Sequence, residues 1–179
     1  MAKDESILEG TVSRKREVDQ VRRAARQFAM QYFHFTKTLY EEFGPETTKR
    51  LVQKTVYELG KDRAEQMRKR AIAEGKGTDT VDDFMAVIDL PFDGWIPEWG
   101  EDHCPYAEVW RGYIKEYPWF SELAPFYCDV IDTTTIETFT HKLSHRLTQN
   151  VINKGTACLR EYFGSKKVEQ GEYTYDSKE

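Results

Sequence analysis

The feature that most constrains the fold of this chain is a long apolar stripe near its N-terminus. Apolar residues recur at alternating steps of three and four, namely Val18, Val21, Ala25, Phe28, Tyr32, Phe35 and Leu39. This spacing places them on one face of a helix that runs from about Arg14 to Phe43. Because so long an apolar face needs a partner, the pattern predicts a helix-rich fold.

A second helix is predicted directly after the first. Gly44-Pro45 interrupts the stripe, and a new one continues toward Glu74 through Val52, Val56, Leu59 and Met67. Gly60 is expected to be a weak point in it. The two helices are predicted to form an antiparallel hairpin, and the charged run from Arg63 to Arg70 is interpreted as a solvated face.

The chain then becomes less regular. Thr78 or Asp79 is expected to cap a short helix that ends near Leu90. After it, prolines and glycines interrupt a group of aromatic residues up to Gly100, which favours an edge strand or a packed loop. These aromatic side chains, Trp99 among them, are suited either to the wall of a pocket or to covering the core.

Cys104 is expected to lie at the start of a helix, because Pro105 suits the first helical position. Free amide groups and the helix dipole there favour a thiolate. Glu108 follows one turn later and is a candidate general acid or base, and His103 precedes the cysteine. The alternative is that Cys104 is a small buried apolar residue.

Two further segments carry candidate site residues. A helical stretch from Trp119 to Thr133 places Cys128 and Asp132 one turn apart on a common face. From Phe139 the apolar period becomes two, which predicts a half-buried strand with His141 and His145 on one face. A turn at residues 153–155 and a second strand from Ala157 to Phe163 would bring Cys158 back toward this sheet.

Three of these elements, in this order, resemble the L-2-amino-thiazoline-4-carboxylic acid hydrolases. They are Cys104-Pro105-Tyr106-Ala107-Glu108 with Trp110, Cys128 followed by Asp132, and Lys154-Gly155 with Cys158 beyond it. The chain departs from the family at Thr156, where an acidic residue commonly follows the glycine. The resemblance implies hydrolysis of a small cyclic amidine, opening a thiazoline to a carbamoyl-cysteine. A weaker likeness to the 4-vinyl-reductase type of small-molecule-binding domain implies a site that breaks no bond.

Composition excludes several classes of partner. A net charge of −5, with both signs interspersed, gives no general attraction for nucleic acid or acidic membranes. The first residues lack a basic, apolar leader, and no stretch approaches the apolar length of a membrane span, so we expect a cytoplasmic protein. Three cysteines without a CxxC motif argue against a disulfide framework.

We therefore predict an α+β fold in which a long helical hairpin packs with a small antiparallel sheet and further helices. With 179 residues, 39% of them hydrophobic, the chain is long and apolar enough for one domain with its own core. Its expected parts are a flexible arm at 1–13, a single domain at 14–164 and a polar tail at 165–179. Within the domain, 14–90 is the helical part and 91–164 carries the sheet and the site.

The predicted site combines thiols, a carboxylate and imidazoles. The candidate catalytic residues are Cys104, Glu108 and His103. The candidate substrate-binding residues are Trp99, Tyr106, Cys128, Asp132, His141, His145 and Cys158. We expect a small-molecule substrate and no cofactor, and the C-terminal tail is a candidate contact in a homo-oligomer.

Two alternatives to hydrolysis stay open at this point. The three cysteines, with His103, His141 or His145, contain enough soft ligands for a tetrahedral zinc ion. Equally, the aromatic loop and the histidine face could hold a small molecule without breaking a bond.

Overall fold

The computed structural model describes residues 13–90, 92–95, 104–152 and 158–164. Its elements are α1 (Arg14–Ala73), α2 (Val81–Met85), a 3₁₀ turn (Phe92–Trp95), α3 (Pro105–Glu116), α4 (Phe120–Thr140), β1 (Leu143–Gln149) and β2 (Leu159–Gly164). The predicted α+β class is confirmed. The predicted terminal arm, apart from Ser13, and the tail lie outside the described residues.

The long helix α1 is bent into two halves at Gly44. This residue has φ 75° and ψ 173°, a conformation that interrupts the helix and that glycine adopts without a Cβ clash. Pro45 then opens the second half, where its missing N–H costs no hydrogen bond. The break predicted from Gly44-Pro45 is confirmed.

The first half of α1 runs antiparallel to α4. Phe28 lies against Tyr127, with ring centroids 5.0 Å apart. One turn later Tyr32 lies against Phe120 at 6.2 Å, so residue numbers rise in α1 as they fall in α4.

The second half of α1 runs parallel to α4. Lys49 forms an ion pair with Glu122 near the start of both segments. Eleven residues later along α1, Gly60 meets Thr134. Since the two halves have opposite directions relative to α4, they form the predicted antiparallel hairpin.

The buried face of the first half differs from the predicted stripe. Its buried residues are Val18, Arg22, Ala25, Ala29, Phe33 and Thr36. Phe35, which was placed on the stripe, is exposed. The face is rotated because α3 also packs here: the Trp110 indole donates to the Ala29 carbonyl at 2.8 Å, and Phe33 stacks on Tyr113 at 3.7 Å.

Gly60 is a close-packing position rather than a weak point. A Cβ added there would lie 2.9 Å from the Thr134 Cβ and 3.3 Å from the Ile131 carbonyl oxygen. The absence of a side chain therefore lets the second half of α1 approach α4, and these two helices form one side of the site.

The short helix α2 begins one or two residues later than predicted. Thr80 is its N-cap, and Thr80 and Asp83 form a reciprocal capping box in which each side chain accepts from the other residue's backbone N–H. The cap fixes the start of a segment in which Phe84 and Val87 pack against the end of α4. The Phe84 and Phe139 rings meet edge to face at 5.5 Å.

The predicted strand from Phe139 starts too early. α4 continues to Thr140 and ends at His141, which has φ 54° in the left-handed region. β1 begins at Leu143 and pairs antiparallel with β2, so that His145 lies opposite Tyr162. The predicted turn at residues 153–155 lies outside the described residues.

Among the described residues, no helix combines the length and the apolar composition that crossing a membrane requires.

Candidate active-site cavity

A cavity of about 350 Å³ lies between the second half of α1, the α2 segment, the start of α3, α4 and β2. Cys104, Cys128 and Cys158, which are far apart in sequence, all line it. All three are free thiols. The fold therefore brings the three cysteines together, and Tyr106 and Asp132 line the same cavity.

Cys104 is the N-cap residue of α3, as predicted from Pro105. Burial raises the pKa of its thiol, while the N–H groups of Ala107 and Tyr106 and the indole of Trp95 act in the opposite direction. Burial is the larger effect, so the pKa of the thiol lies above its usual value. Burial thus acts against the thiolate that the helix N-terminus was expected to favour.

Burial acts in the same direction on the other two thiols. Burial raises the pKa of Cys128 well above its usual value, and the negative charge of Asp132 adds to the effect. Burial likewise raises the pKa of Cys158, although the Val151 N–H donates to its Sγ at 3.4 Å. Burial therefore favours the protonated form of all three thiols.

An ion pair between Asp132 and Arg160 supplies charge to this otherwise mostly apolar cavity. Arg160 Nη2 lies 2.6 Å from Asp132 Oδ2, and both side chains are partly buried. Asp132 is one turn beyond Cys128 on α4, as predicted. Sequence analysis missed Arg160 and Tyr162, although their two-residue spacing after Cys158 places all three on one strand face.

Arg63 corrects the interpretation of the charged run in α1 as a solvated face. It lines the cavity, and its guanidinium donates to both carboxylate oxygens of Asp89, at 2.8 and 2.6 Å. A two-bond contact of this kind fixes orientation as well as distance. Arg63 therefore holds the segment after α2 against α1.

Glu108 does not line the cavity, although it follows Cys104 by one helical turn. Its carboxylate accepts from Arg22 Nη2 at 3.1 Å and from Arg26 Nη2 at 3.1 Å. Arg22 also donates to the Gly94 carbonyl at 2.8 Å. This position does not support the predicted acid–base role; instead Glu108 ties α3 to α1 and, through Arg22, to the 3₁₀ turn.

The two histidines predicted to share a strand face are separated. His141 is exposed at the end of α4 and does not line the cavity, so its position does not support the predicted place beside the substrate. His145 is buried, with Nδ1 3.0 Å from the Thr133 Oγ1 and its ring 5.4 Å from that of Tyr162, which lines the cavity. Burial lowers the pKa of His145 to about 4, so its imidazole is neutral.

The remaining predicted site residues, His103 and Trp99, lie outside the described residues. Within the described ranges, no three His, Cys, Asp or Glu side chains are grouped closely enough to hold a metal ion. The three cysteines with His141 or His145 thus do not form the zinc site considered as an alternative.

Comparison with known proteins gives one family. The family model described as L-2-amino-thiazoline-4-carboxylic acid hydrolase matches residues 23–162. That range contains every described residue of the cavity. No curated protein and no solved structure matches the chain.

Proposed function

The chain belongs to the L-2-amino-thiazoline-4-carboxylic acid hydrolase family, and we propose that it hydrolyses a small cyclic amidine in the cavity lined by its three cysteines. The observation that carries this proposal is the meeting of Cys104, Cys128 and Cys158 with the Asp132–Arg160 ion pair around one enclosed space. Such a cavity holds a nucleophile, a carboxylate and a cation within reach of one ligand.

The Asp132–Arg160 pair suits the charges of an amino-thiazoline carboxylate. This compound carries a carboxylate, which a guanidinium binds through two parallel hydrogen bonds. It also carries an amidinium group, for which a carboxylate is the complementary acceptor. We therefore assign Arg160 to the substrate carboxylate and Asp132 to the amidinium. When the ligand binds, each of the two side chains replaces part of its contact with the other by a contact with the ligand.

Cys104 is the proposed nucleophile. Its Sγ bonds to the amidine carbon, the bond from that carbon to the ring sulfur breaks, and the ring sulfur takes up the thiol proton. Water then adds to the same carbon and releases Cys104 as a thiol, which leaves a carbamoyl group on the opened product. Asp132 is the one carboxylate among the described cavity residues, so it is assigned to proton transfer from this water.

One observation favours a second candidate function, which is binding without bond cleavage. Burial raises the pKa of all three thiols and so opposes the ionised form that a nucleophile needs. Under hydrolysis, the bound amidinium must help to draw the proton from Cys104. Under simple binding, the thiols only fill the cavity wall.

Turnover of L-2-amino-thiazoline-4-carboxylate separates these two functions. We expect the purified protein to release N-carbamoyl-cysteine, detected by mass spectrometry. Cys104→Ser should lower kcat/KM by orders of magnitude because a serine hydroxyl is a far weaker nucleophile. Asp132→Asn should lower it by about 10²- to 10⁴-fold, the usual contribution of general acid–base catalysis.

Measurements on the same preparations also define the results that would contradict hydrolysis. Melting temperatures near that of the wild type would show that both variants are folded. Saturable binding of the thiazoline without any product would favour the binding module. A folded Cys104→Ser protein that turns over at the wild-type rate would end the nucleophile assignment.

A further inference from the structure

The cavity is longer than one small ring requires. Along α4 it is lined from Tyr127 to Ile136, and at 1.5 Å per residue this stretch is about 13 Å long. L-2-amino-thiazoline-4-carboxylate is a single five-membered ring with two small substituents. Placed near the thiols and the ion pair, a compound of this size would leave the far part of the cavity open.

The two ends of the cavity differ in chemistry. Cys128 lies at the first end, and one turn further on Asp132 holds Arg160. Phe84 lies at the second end, near Ile136, because its ring also contacts Phe139 on the last turn of α4. The wall of this end is apolar and is supplied mainly by the α2 segment, through Phe84, Met85, Ile88 and Leu90.

This apolar wall is held in place before any ligand binds. Asp89 is fixed by the two hydrogen bonds from Arg63, and the Ile88 carbonyl accepts from Arg70 at 3.1 Å. Met85 is 43% exposed while lining the cavity, which places it at the opening. A fixed wall with an adaptable methionine at its edge suits an apolar group that enters from solvent.

We infer that the substrate carries an apolar substituent, aryl or branched alkyl, on its charged cyclic amidine head, and that Met85 and Ile88 determine this specificity. The inference rests on the proposed function of the same cavity. The polar head lies between Cys104 and the Asp132–Arg160 pair, and the substituent lies against the α2 segment. The cavity volume of about 350 Å³ is within the range of about 300–1,000 Å³ that accommodates ligands larger than a bare thiazoline.

Two compounds test this inference, L-2-amino-thiazoline-4-carboxylate and its 5-phenyl derivative. For each, kcat/KM is measured by product formation and Kd by titration calorimetry. We expect the phenyl compound to be preferred by at least about tenfold, the lower end of what a filled hydrophobic pocket contributes. Ile88→Thr should reduce this preference severalfold, because a polar hydroxyl replaces part of the apolar wall.

A matched substitution controls for the loss of an apolar side chain. Ile72 is 63% exposed on α1 and does not line the cavity, so Ile72→Thr should keep the full preference for the phenyl compound. Should Ile88→Thr fail to fold, Met85→Gln tests the same wall from an exposed position. Melting temperature shows which variants are folded.

The outcomes separate this inference from the proposed function. Tighter binding of the phenyl compound without turnover of either compound supports the inference and overturns hydrolysis. Equal kcat/KM and equal Kd for the two compounds, or exclusion of the phenyl compound, overturns the inference and leaves hydrolysis standing. A preference that Ile88→Thr and Met85→Gln both leave intact also overturns it.

Discussion

Glu108→Gln distinguishes a positioning carboxylate from a catalytic one. The wild-type carboxylate pairs with Arg22, whose side chain is only 2% exposed, and with Arg26 at the surface. The amide keeps the shape of the side chain and removes its charge. Arg22 would retain its hydrogen bond to the Gly94 carbonyl, while its buried positive charge would lose its pairing with the Glu108 carboxylate.

The expected cost follows from the burial of the two partners. Removing one partner of a fully buried ion pair typically costs about 3–5 kcal/mol. The Glu108 side chain is 37% exposed, so water screens part of the interaction and the expected loss is about 1–3 kcal/mol. In a protein of this length, each kcal/mol lowers Tm by about 2–4 °C.

The assay is thermal unfolding of Glu108→Gln beside a matched control, Glu122→Gln. Glu122 also joins two helices by an ion pair, with Lys49, but its side chain is largely exposed, so the control should change stability by less than about 1 kcal/mol. Turnover per folded molecule should stay close to wild type in both. An unchanged Tm together with a loss of turnover by orders of magnitude would refute the positioning role and restore Glu108 as an acid or base.

Three further predictions follow from the structure. His145 stays neutral in the folded protein because burial lowers its pKa from 6.5 to about 4. The free energy of unfolding should therefore fall by about 3 kcal/mol as the pH falls from about 6.5 to 4. Denaturant titrations of His145→Gln should show a smaller fall over the same pH range. His141→Gly should stabilise the protein by about 1 kcal/mol, since φ 54° suits glycine, and a lower Tm would contradict this. Gly60→Ala should lower the free energy of unfolding by about 1 kcal/mol, because overpacking against Thr134 outweighs the better helix propensity of alanine. A higher Tm would show that α1 and α4 can move apart at no cost in stability.

Local patterns predicted local structure well. The three-and-four spacing identified both halves of α1, and Pro105 located the start of α3. The pattern failed where an element ended without proline or glycine. α4 continues to Thr140 and stops at His141, so the alternation counted from Phe139 joined the last turn of a helix to a strand.

The site was predictable only where sequence motifs marked it. The three family elements pointed to the cysteines, and the structure brings these together. Helical spacing placed Glu108 beside Cys104 but could not show that Arg22, 86 residues away in the chain, would bind it instead. Likewise, nothing local in the charged run of α1 distinguishes Arg63, whose partner Asp89 lies in the segment after α2.

The most direct test of the proposed site is a crystal structure of Cys104→Ser with L-2-amino-thiazoline-4-carboxylate, because this variant should bind the compound without opening it. The account predicts that the ligand lies in the cavity, with its carboxylate on Arg160, its amidinium on Asp132 and its amidine carbon beside residue 104. A ligand bound elsewhere, such as at Arg26 on the surface, with the cavity empty would contradict it.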